Sequence, residues 1–395
     1  MRRLRIGVIF GGRSVEHEVS LVSARSVLAA IDPERYEVVP IGVTREGKWL
    51  TSSSVERFLE GGAAFEEGEH TALLADPSVS GLVRLDGARG TIESGSGRSA
   101  SGMPALDVVF PLIHGGYGED GRLQGLLEMA DLPYVGSGVL GSALGMDKEV
   151  AKRLFKSAGL PIVEHLLVRR HELGGRDATS AVRAKLERSL GYPCFVKPSS
   201  LGSSVGVSKA RNWEEAHHAI DEAFAFDDKI LIERAVDARE IEVAVLGNDV
   251  PEASICGEIV TVHEFYDYEA KYHDTATRLL IPAPIPEELS RRLRELAIEA
   301  FRTLDLAGIA RVDFLVDRGS GEPFLNEVNT LPGFTPVSMY PKLWEASGVG
   351  YTELVDRLIR LAIERHDAKA RLRTILPSQA GAAPDPVSGS DSGLG

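Results

Sequence analysis

Cysteine is almost missing from this chain of 395 residues: only Cys194 and Cys256 occur, far apart and each inside an apolar run. Two such residues build neither a disulfide framework nor a thiolate metal cluster nor a CxxC redox pair, and they give no sign of an oxidising compartment. Long hydrophobic runs are missing as well. No segment approaches the ~18 apolar residues of a membrane span, and the first apolar stretch, Ile6 to Phe10, is too short for a secretory signal. A cytoplasmic protein without a membrane partner is expected. Positive charge is also scarce, with 44 Lys and Arg against 58 Asp and Glu, a net charge of -14. A nucleic-acid backbone would meet repulsion over most of the surface, so nucleic acid is not an expected partner.

What is present is ordinary globular material, 43% apolar and 26% charged. At about 150 residues per domain the length suggests two or three domains, each able to bury its own core. LRIGVIFGG, SVEHEVSLVSARSVLAAI, YEVVPIGV and ALDVVFPLIHGG alternate strand and helix patterns, which argues for a parallel sheet flanked by helices. The stretch 94–103 is low in complexity and reads as a surface loop. A small-residue helix near LPYVGSGVLGSALGMDK, and a second closed by Gly159 and Pro161, mark a first boundary. YPCFVKP, SVGVSKA, KILIERAV and REIEVAVLG then read as an antiparallel sheet, with period-2 alternation in IEVAVLG predicting a half-buried strand. Last come a long amphipathic helix and the hairpin GIARVDFLVD, RGSG, EPFLNEVN. The expected organisation is 1–142, 143–232 and 233–370, followed by a disordered tail at 371–395.

Three motifs mislead. GSGVLG at 136–141 matches the dinucleotide fingerprint but sits at a mid-chain boundary rather than in the first strand-to-helix turn. GVTREGKW places Trp49 where a phosphate loop needs a hydroxyl, so a hairpin turn at Glu46 and Gly47 is the better reading. Apart from His17 in HEVS and the pair His217 and His218, the histidines show no ligand-like spacing, and zinc is not expected.

Chemistry concentrates in the C-terminal hairpin. Arg311 and Asp313 share one face of their strand, Glu327 and Asn329 one face of the next, while Val312, Phe314 and Val328 point the other way. Such a face is either a solvated ion pair or a site for a hard cation held together with substrate phosphates. Upstream, Lys197 precedes the Gly/Ser loop 201–206, which reads as a flexible turn or as a cradle of backbone N–H groups for phosphate. In so acidic a chain a nucleotide anion needs local cations, and Lys148, Lys197, Lys271 and Arg311 are the candidates. Glu16, at a helix N-terminus, is either a carboxylate stabilised by the helix dipole or a partner for a substrate ammonium. His114 follows the third strand, where ligands of parallel sheets gather.

Eight segments in order, GGRSVEHEVS, HGGYGEDGRLQG, LPYVGSGV, MDK, VKPSSLGSSVGVSK, YDYEAKY, RVDF and NEVNTLPGFT, resemble the D-alanine-D-alanine ligase family of the ATP-grasp superfamily. The resemblance spans about Arg5 to Leu361. It implies an α/β (α+β) ATP-grasp fold, with an N-terminal Rossmann-like parallel-sheet domain and two further α+β domains gripping ATP. It also implies ATP as cosubstrate, two Mg²⁺ or Mn²⁺ ions, a homodimer, and ligation of two D-alanines through an acyl phosphate for peptidoglycan precursor synthesis. A D-alanine-D-lactate or D-alanine-D-serine ligase is the alternative that YDYEAKY disfavours.

Carried over residue by residue, the resemblance assigns Lys148, Lys197 and the loop Gly202, Ser203, Ser204, Val205 and Gly206 to the phosphates of ATP. Glu233, Arg234 and Val236 would hold adenine and Glu240 the ribose. Asp313, Glu327 and Asn329 would hold the metals. Glu16 would take the ammonium of the first D-alanine, with His114 nearby, and Arg311 and the N–H of Gly333 would form the oxyanion site. Lys271, Ser338 and Met339 would receive the second D-alanine, and Ser203 and Tyr272 would bridge to Glu16. Where some family members carry an acidic residue in the phosphate loop, this chain has Leu201.

Overall fold

The computed structural model describes residues 2–52, 68–79, 81–86, 91–92, 105–173, 175–260 and 277–372. The expectations for 94–103, for Lys271 and Tyr272, and for the chain beyond 372 fall outside these residues.

The first sheet grows from β1 (Leu4–Gly11). Ile6, Val8 and Phe10 pack into one core and Ile9 into another, all fully buried, as a strand covered on both faces requires. At Gly11 (φ +87°) a Cβ would lie 2.3 Å from the Val43 carbonyl oxygen, so only glycine lets the chain turn there into helix α1 (His17–Ala30). Strand β2 (Tyr36–Val43) pairs parallel with β1. The hairpin at Glu46 and Gly47 forms as expected: Gly47 has φ +93°, and Thr44 N–H donates to the Lys48 carbonyl at 2.9 Å. It reverses the chain into β3 (Trp49–Thr51), after which β4 (Glu69–Leu73), β5 (Leu82–Asp86) and β6 (Thr91–Ile92) add an antiparallel extension whose short strands carried no readable pattern. Strand β7 (Val108–Pro111) completes the parallel centre on the other side of β1.

Helices α2 (Arg122–Met129), α3 (Val139–Met146) and α4 (Lys148–Ser157) follow. Asp147 caps α4, accepting from Val150 N–H at 3.1 Å, and Gly159 at φ +79° ends it. The second sheet is antiparallel throughout. It contains β8 (His165–Arg169), then, after α5 (Arg176–Ser189), β9 (Cys194–Pro198) and β10 (Ser208–Ala210). After α6 (Trp213–Ala223) comes β11 (Lys229–Arg234), giving the order β10-β9-β11-β8. Helix α6 is capped by Asn212, which accepts from Glu215 N–H at 2.9 Å, while Glu215 accepts from the N–H of the preceding Arg211 at 2.9 Å.

The third sheet holds β12 (Ala238–Gly247), β13 (Glu252–Val260) and β14 (Arg278–Leu280). After α7 (Glu287–Thr303) it adds β15 (Gly308–Asp317) and β16 (Pro323–Asn329), in the antiparallel order β14-β13-β12-β15-β16. Strand β12 corrects the half-buried expectation, because Ile241 to Gly247 is buried throughout. Ile241, Val243 and Val245 share a core with α7, whereas Ala244 and Leu246 share one with the closing helices α8 (Met339–Ala346) and α9 (Tyr351–Ala370). The strand's own alternation cannot show that distant helices cover its second face. Helix α9 then returns to the first sheet: Leu354, Leu358 and Ile359 join Ile6, Val8 and Phe110 in one core, and Tyr36 donates to Asp356 at 2.6 Å. Each such buried side chain contributes about 1.5–3 kcal/mol, so this shared core holds the two ends of the chain together. Among the described residues no helix is long and apolar enough to cross a membrane.

Candidate functional site

A cavity of about 700 Å³ is lined from all three sheets and their loops. From the first come Glu16, just before α1, and His114 and Glu119, in the loop after β7. Glu16 is buried, and its carboxylate accepts the hydroxyl of Ser203 from the second sheet's Gly/Ser loop. Gly115 makes room for it, since a Cβ there would lie 2.6 Å from Glu16 Oε2. His114 has both ring nitrogens engaged: Nδ1 lies 3.1 Å from the Leu331 carbonyl, which can only accept, so Nδ1 carries the proton and Nε2 accepts from Ser23 at 2.9 Å. Burial pushes this imidazole below its ordinary value in spite of Glu16, which keeps it neutral. Its Nδ1 thus holds the Leu331 carbonyl, two residues before Gly333.

Glu119 was not singled out by sequence. Its Oε1 accepts from Gly115 N–H at 2.7 Å, and burial, reinforced by the Glu16 carboxylate, pushes its carboxyl up to about 8. The only sequence signal is an acidic residue in a glycine-rich turn after a strand. Because the fold favours its protonated form, Glu119 supports stability fully below the ordinary carboxyl value of 4.5, and that support is lost as pH rises toward about 8. Glu119→Gln, which stays neutral, should gain on the parent in thermal unfolding as pH is raised through this window, by at most ~1.4 kcal/mol per pH unit. Parallel melting curves that keep a constant gap across those pH values would show that Glu119 is ionised throughout.

The phosphate-loop candidates converge with the lysines. Ser203 (φ +50°), Ser204 (φ +57°) and Gly206 (φ +71°) give the loop the concave main chain that suits anions. The left-handed conformation costs each serine roughly 1–2 kcal/mol. Contacts that restrain the loop include Ser203 to Glu16, Val205 N–H to the Gly202 carbonyl (3.2 Å) and Lys148 Nζ to the Leu201 carbonyl (2.7 Å). Leu201 therefore takes part through its backbone. Lys197, on β9, has its Nζ 2.6 Å from Glu233 Oε2 and 3.5 Å from Asn326 Oδ1. Burial alone would raise the Glu233 carboxyl, but the ammoniums of Lys152 and Lys197 hold it at about 2. The Glu233 side chain is thus turned inward; Arg234 is exposed and Val236 half-buried beyond it, while Glu240 lines the cavity.

The hairpin pairs as its pattern predicts, with Arg311 opposite Asn329 and Asp313 opposite Glu327. Val312, Phe314 and Val328 are buried on the other face. Arg311 makes a two-pronged contact with Asp313, 2.7 Å at each oxygen, and its Nε lies 3.0 Å from Glu242 Oε2. Burial opposes the guanidinium charge, yet Asp313 and Glu242 raise it well above its ordinary value. Asn329 donates to Asp313 at 2.9 Å, and Lys148 Nζ lies 3.2 Å from Glu327 Oε2. Glu242 is a second residue the sequence reading passed over, although a carboxylate within the apolar run IEVAVLG is a signal. Ser338 closes the far wall, accepting from Thr335 N–H at 3.1 Å beside Gly333, and the buried Met339 packs on Gly257. A larger groove of about 960 Å³ beside α3, α7 and α9 gathers no comparable chemistry. There Lys369 and His366 pair with Glu128 (2.5 Å) and Asp131 (3.0 Å).

Comparison with known proteins bears on the fold and the family. The family described as D-ala D-ala ligase N-terminus matches residues 5–137, and D-ala D-ala ligase C-terminus matches residues 154–360. A D-alanine--D-alanine ligase of Thermoanaerobacter sp. (strain X514) is 50% identical over 372 residues, covering 94% of this chain and 99% of that protein. The solved D-alanine-D-alanine ligase of Coxiella burnetii superposes with a TM-score of 0.80 at 34% identity, over 94% of this chain and 97% of that one. A D-Ala:D-Ser ligase from Enterococcus faecalis also superposes at 0.80 with 34% identity, over 91% of this chain and all of that one. With both family regions matched in order and half the residues shared with a full-length relative, the chain belongs to the D-alanine-D-alanine ligase family.

Proposed function

We propose that this protein joins two D-alanines into D-alanyl-D-alanine with ATP, through an acyl phosphate, releasing ADP and phosphate and supplying peptidoglycan precursor synthesis. The observation that carries this reading is the convergence on one cavity of the Gly/Ser loop with Lys148 and Lys197, the buried Glu16 carboxylate and the Arg311 hairpin. A carboxylate is a poor electrophile, so amide formation in water needs it activated. Lys148, Lys197 and the 202–206 loop hold the triphosphate of ATP, Glu240 meets its ribose, and the 233–236 hinge takes adenine. Glu16 holds the first D-alanine by its ammonium, so that its carboxylate faces the γ-phosphoryl group. The amine of the second D-alanine, seated near Ser338 and Met339, attacks the acyl phosphate, and Arg311 with the Gly333 N–H stabilises the developing oxyanion. Fixing both reactants can contribute up to ~7–11 kcal/mol to the barrier reduction and one oxyanion donor roughly 3–4 kcal/mol.

The donor chemistry of the hairpin fits a hard divalent cation. Among the described residues six carboxylates besides Glu119, but only three permanent cations, line the cavity, so a polyphosphate entering alone would be repelled. Asp313, Glu327 and Asn329 offer oxygen ligands only, and no cluster of three or more His, Cys, Asp or Glu among the described residues forms a self-sufficient metal centre. Phosphate oxygens and water would complete the shell. Two Mg²⁺ or Mn²⁺ ions, when bound there, supply charge neutralisation to the phosphates.

We assign the N-terminal Rossmann-like unit to 1–142, the central ATP-grasp unit to 143–232 and the C-terminal one to 233–370, and place the protein in the cytoplasm as a homodimer. The deciding experiment is phosphate release from ATP with D-alanine against L-alanine. Release with D-alanine alone is expected, and equal release with both, or with neither, would overturn the reading. D-Serine or D-lactate as second substrate is the alternative, and chromatography of the product separates it from the D-alanine dipeptide.

A further inference from the structure

We propose that Lys152, which no motif singled out, is a positioning residue for nucleotide binding: by occupying one oxygen of Glu233 it leaves the Lys197 ammonium able to meet the phosphates. The inference rests on the reading of this cavity as a nucleotide site. Lys152 lies one helical turn after Lys148 on α4, but where Lys148 reaches the cavity, Lys152 is 1% exposed behind it. Its Nζ is 3.1 Å from Glu233 Oε1, and Lys197 Nζ is 2.6 Å from Glu233 Oε2. One carboxylate therefore bridges two ammoniums, and the group of three carries one net positive charge. Remove Lys152, and Lys197 and Glu233 become a closed neutral pair in which the carboxylate claims the ammonium and repels phosphate. The other lysine facing the phosphates, Lys148, is already opposite Glu327, so the excess charge behind Lys197 is what biases this wall toward an anion. Fold stability alone does not call for a buried ammonium here, since apolar residues commonly replace buried ion pairs without loss. Burial pushes the Lys152 ammonium below its ordinary value, which makes its charge dependent on Glu233.

The test is calorimetric binding of Mg·ADP to the full chain and to Lys152→Met, Glu233→Gln and the double variant. Lys152→Met should weaken ADP binding by about tenfold or more while changing KM for D-alanine by less than about threefold. In the Glu233→Gln background, where the link is already cut, the same substitution should change ADP affinity by less than about threefold. Parent protein that fails to bind ADP overturns the nucleotide reading itself. Parent that binds, with Lys152→Met indistinguishable from it, overturns only the inference. If Lys152→Met does not fold, the double variant decides: ADP binding within about threefold of Glu233→Gln supports the role of charge balance, and a larger loss or a failure to fold overturns it.

Discussion

Arg311→Met is expected to lower D-alanine-dependent turnover by more than ~100-fold, because a single oxyanion donor in a preorganised site is worth about that much or more. The loss should appear in kcat rather than in KM for ATP, since the guanidinium acts where charge develops. Stability should fall as well: Arg311 stands between Asp313 and Glu242, and its removal leaves two carboxylates side by side without their cation. Breaking a buried pair by deleting one partner costs roughly 3–5 kcal/mol, discounted here because Asn329 still donates to Asp313. Arg311→Lys should rescue little, because a single ammonium cannot reproduce the two-pronged contact. Steady-state kinetics with thermal melts would check this, and a kcat within tenfold of the parent in Arg311→Met would remove Arg311 from the oxyanion site.

Glu327→Gln is expected to abolish D-alanine-dependent ADP release while leaving the melting temperature nearly unchanged. The amide keeps an oxygen for the Lys148 ammonium that now sits 3.2 Å from Glu327, so the fold loses little. What it cannot keep is the negative charge that a divalent cation requires beside Asp313, directly across the hairpin. Binding of Mn²⁺ in the presence of ADP, followed by electron paramagnetic resonance, should weaken in the same variant. Full turnover in Glu327→Gln would refute the metal assignment.

Both predictions concern residues that could be read from sequence, and the reason is geometric. A strand repeats every two residues, so RVDF and NEVN announce which side chains share a face before their pairing is known. Glycine at a turn is similarly legible, as Gly47 shows, because only a few residue types tolerate that backbone. Partners are not legible in this way. Glu242 lies on a strand that the sequence shows, but its contact with Arg311 comes from the pairing of β12 with β15. Lys152 and Glu233 meet because α4 packs where the second sheet ends, and Glu119 owes its raised carboxyl to burial beside Glu16.

By itself the sequence determined the strand–helix alternation of the first sheet, several strands of the other two, the polar face of the hairpin and the phosphate-loop composition, all of which depend on neighbours within a few residues. Only the tertiary structure decided that β12 is covered on both faces, that His114 spends both nitrogens on the protein, and that Glu242 reaches Arg311 across the sheet. Burial, charge pairing and tautomer are set by what surrounds a side chain in space, and those surroundings exist only once distant segments have packed.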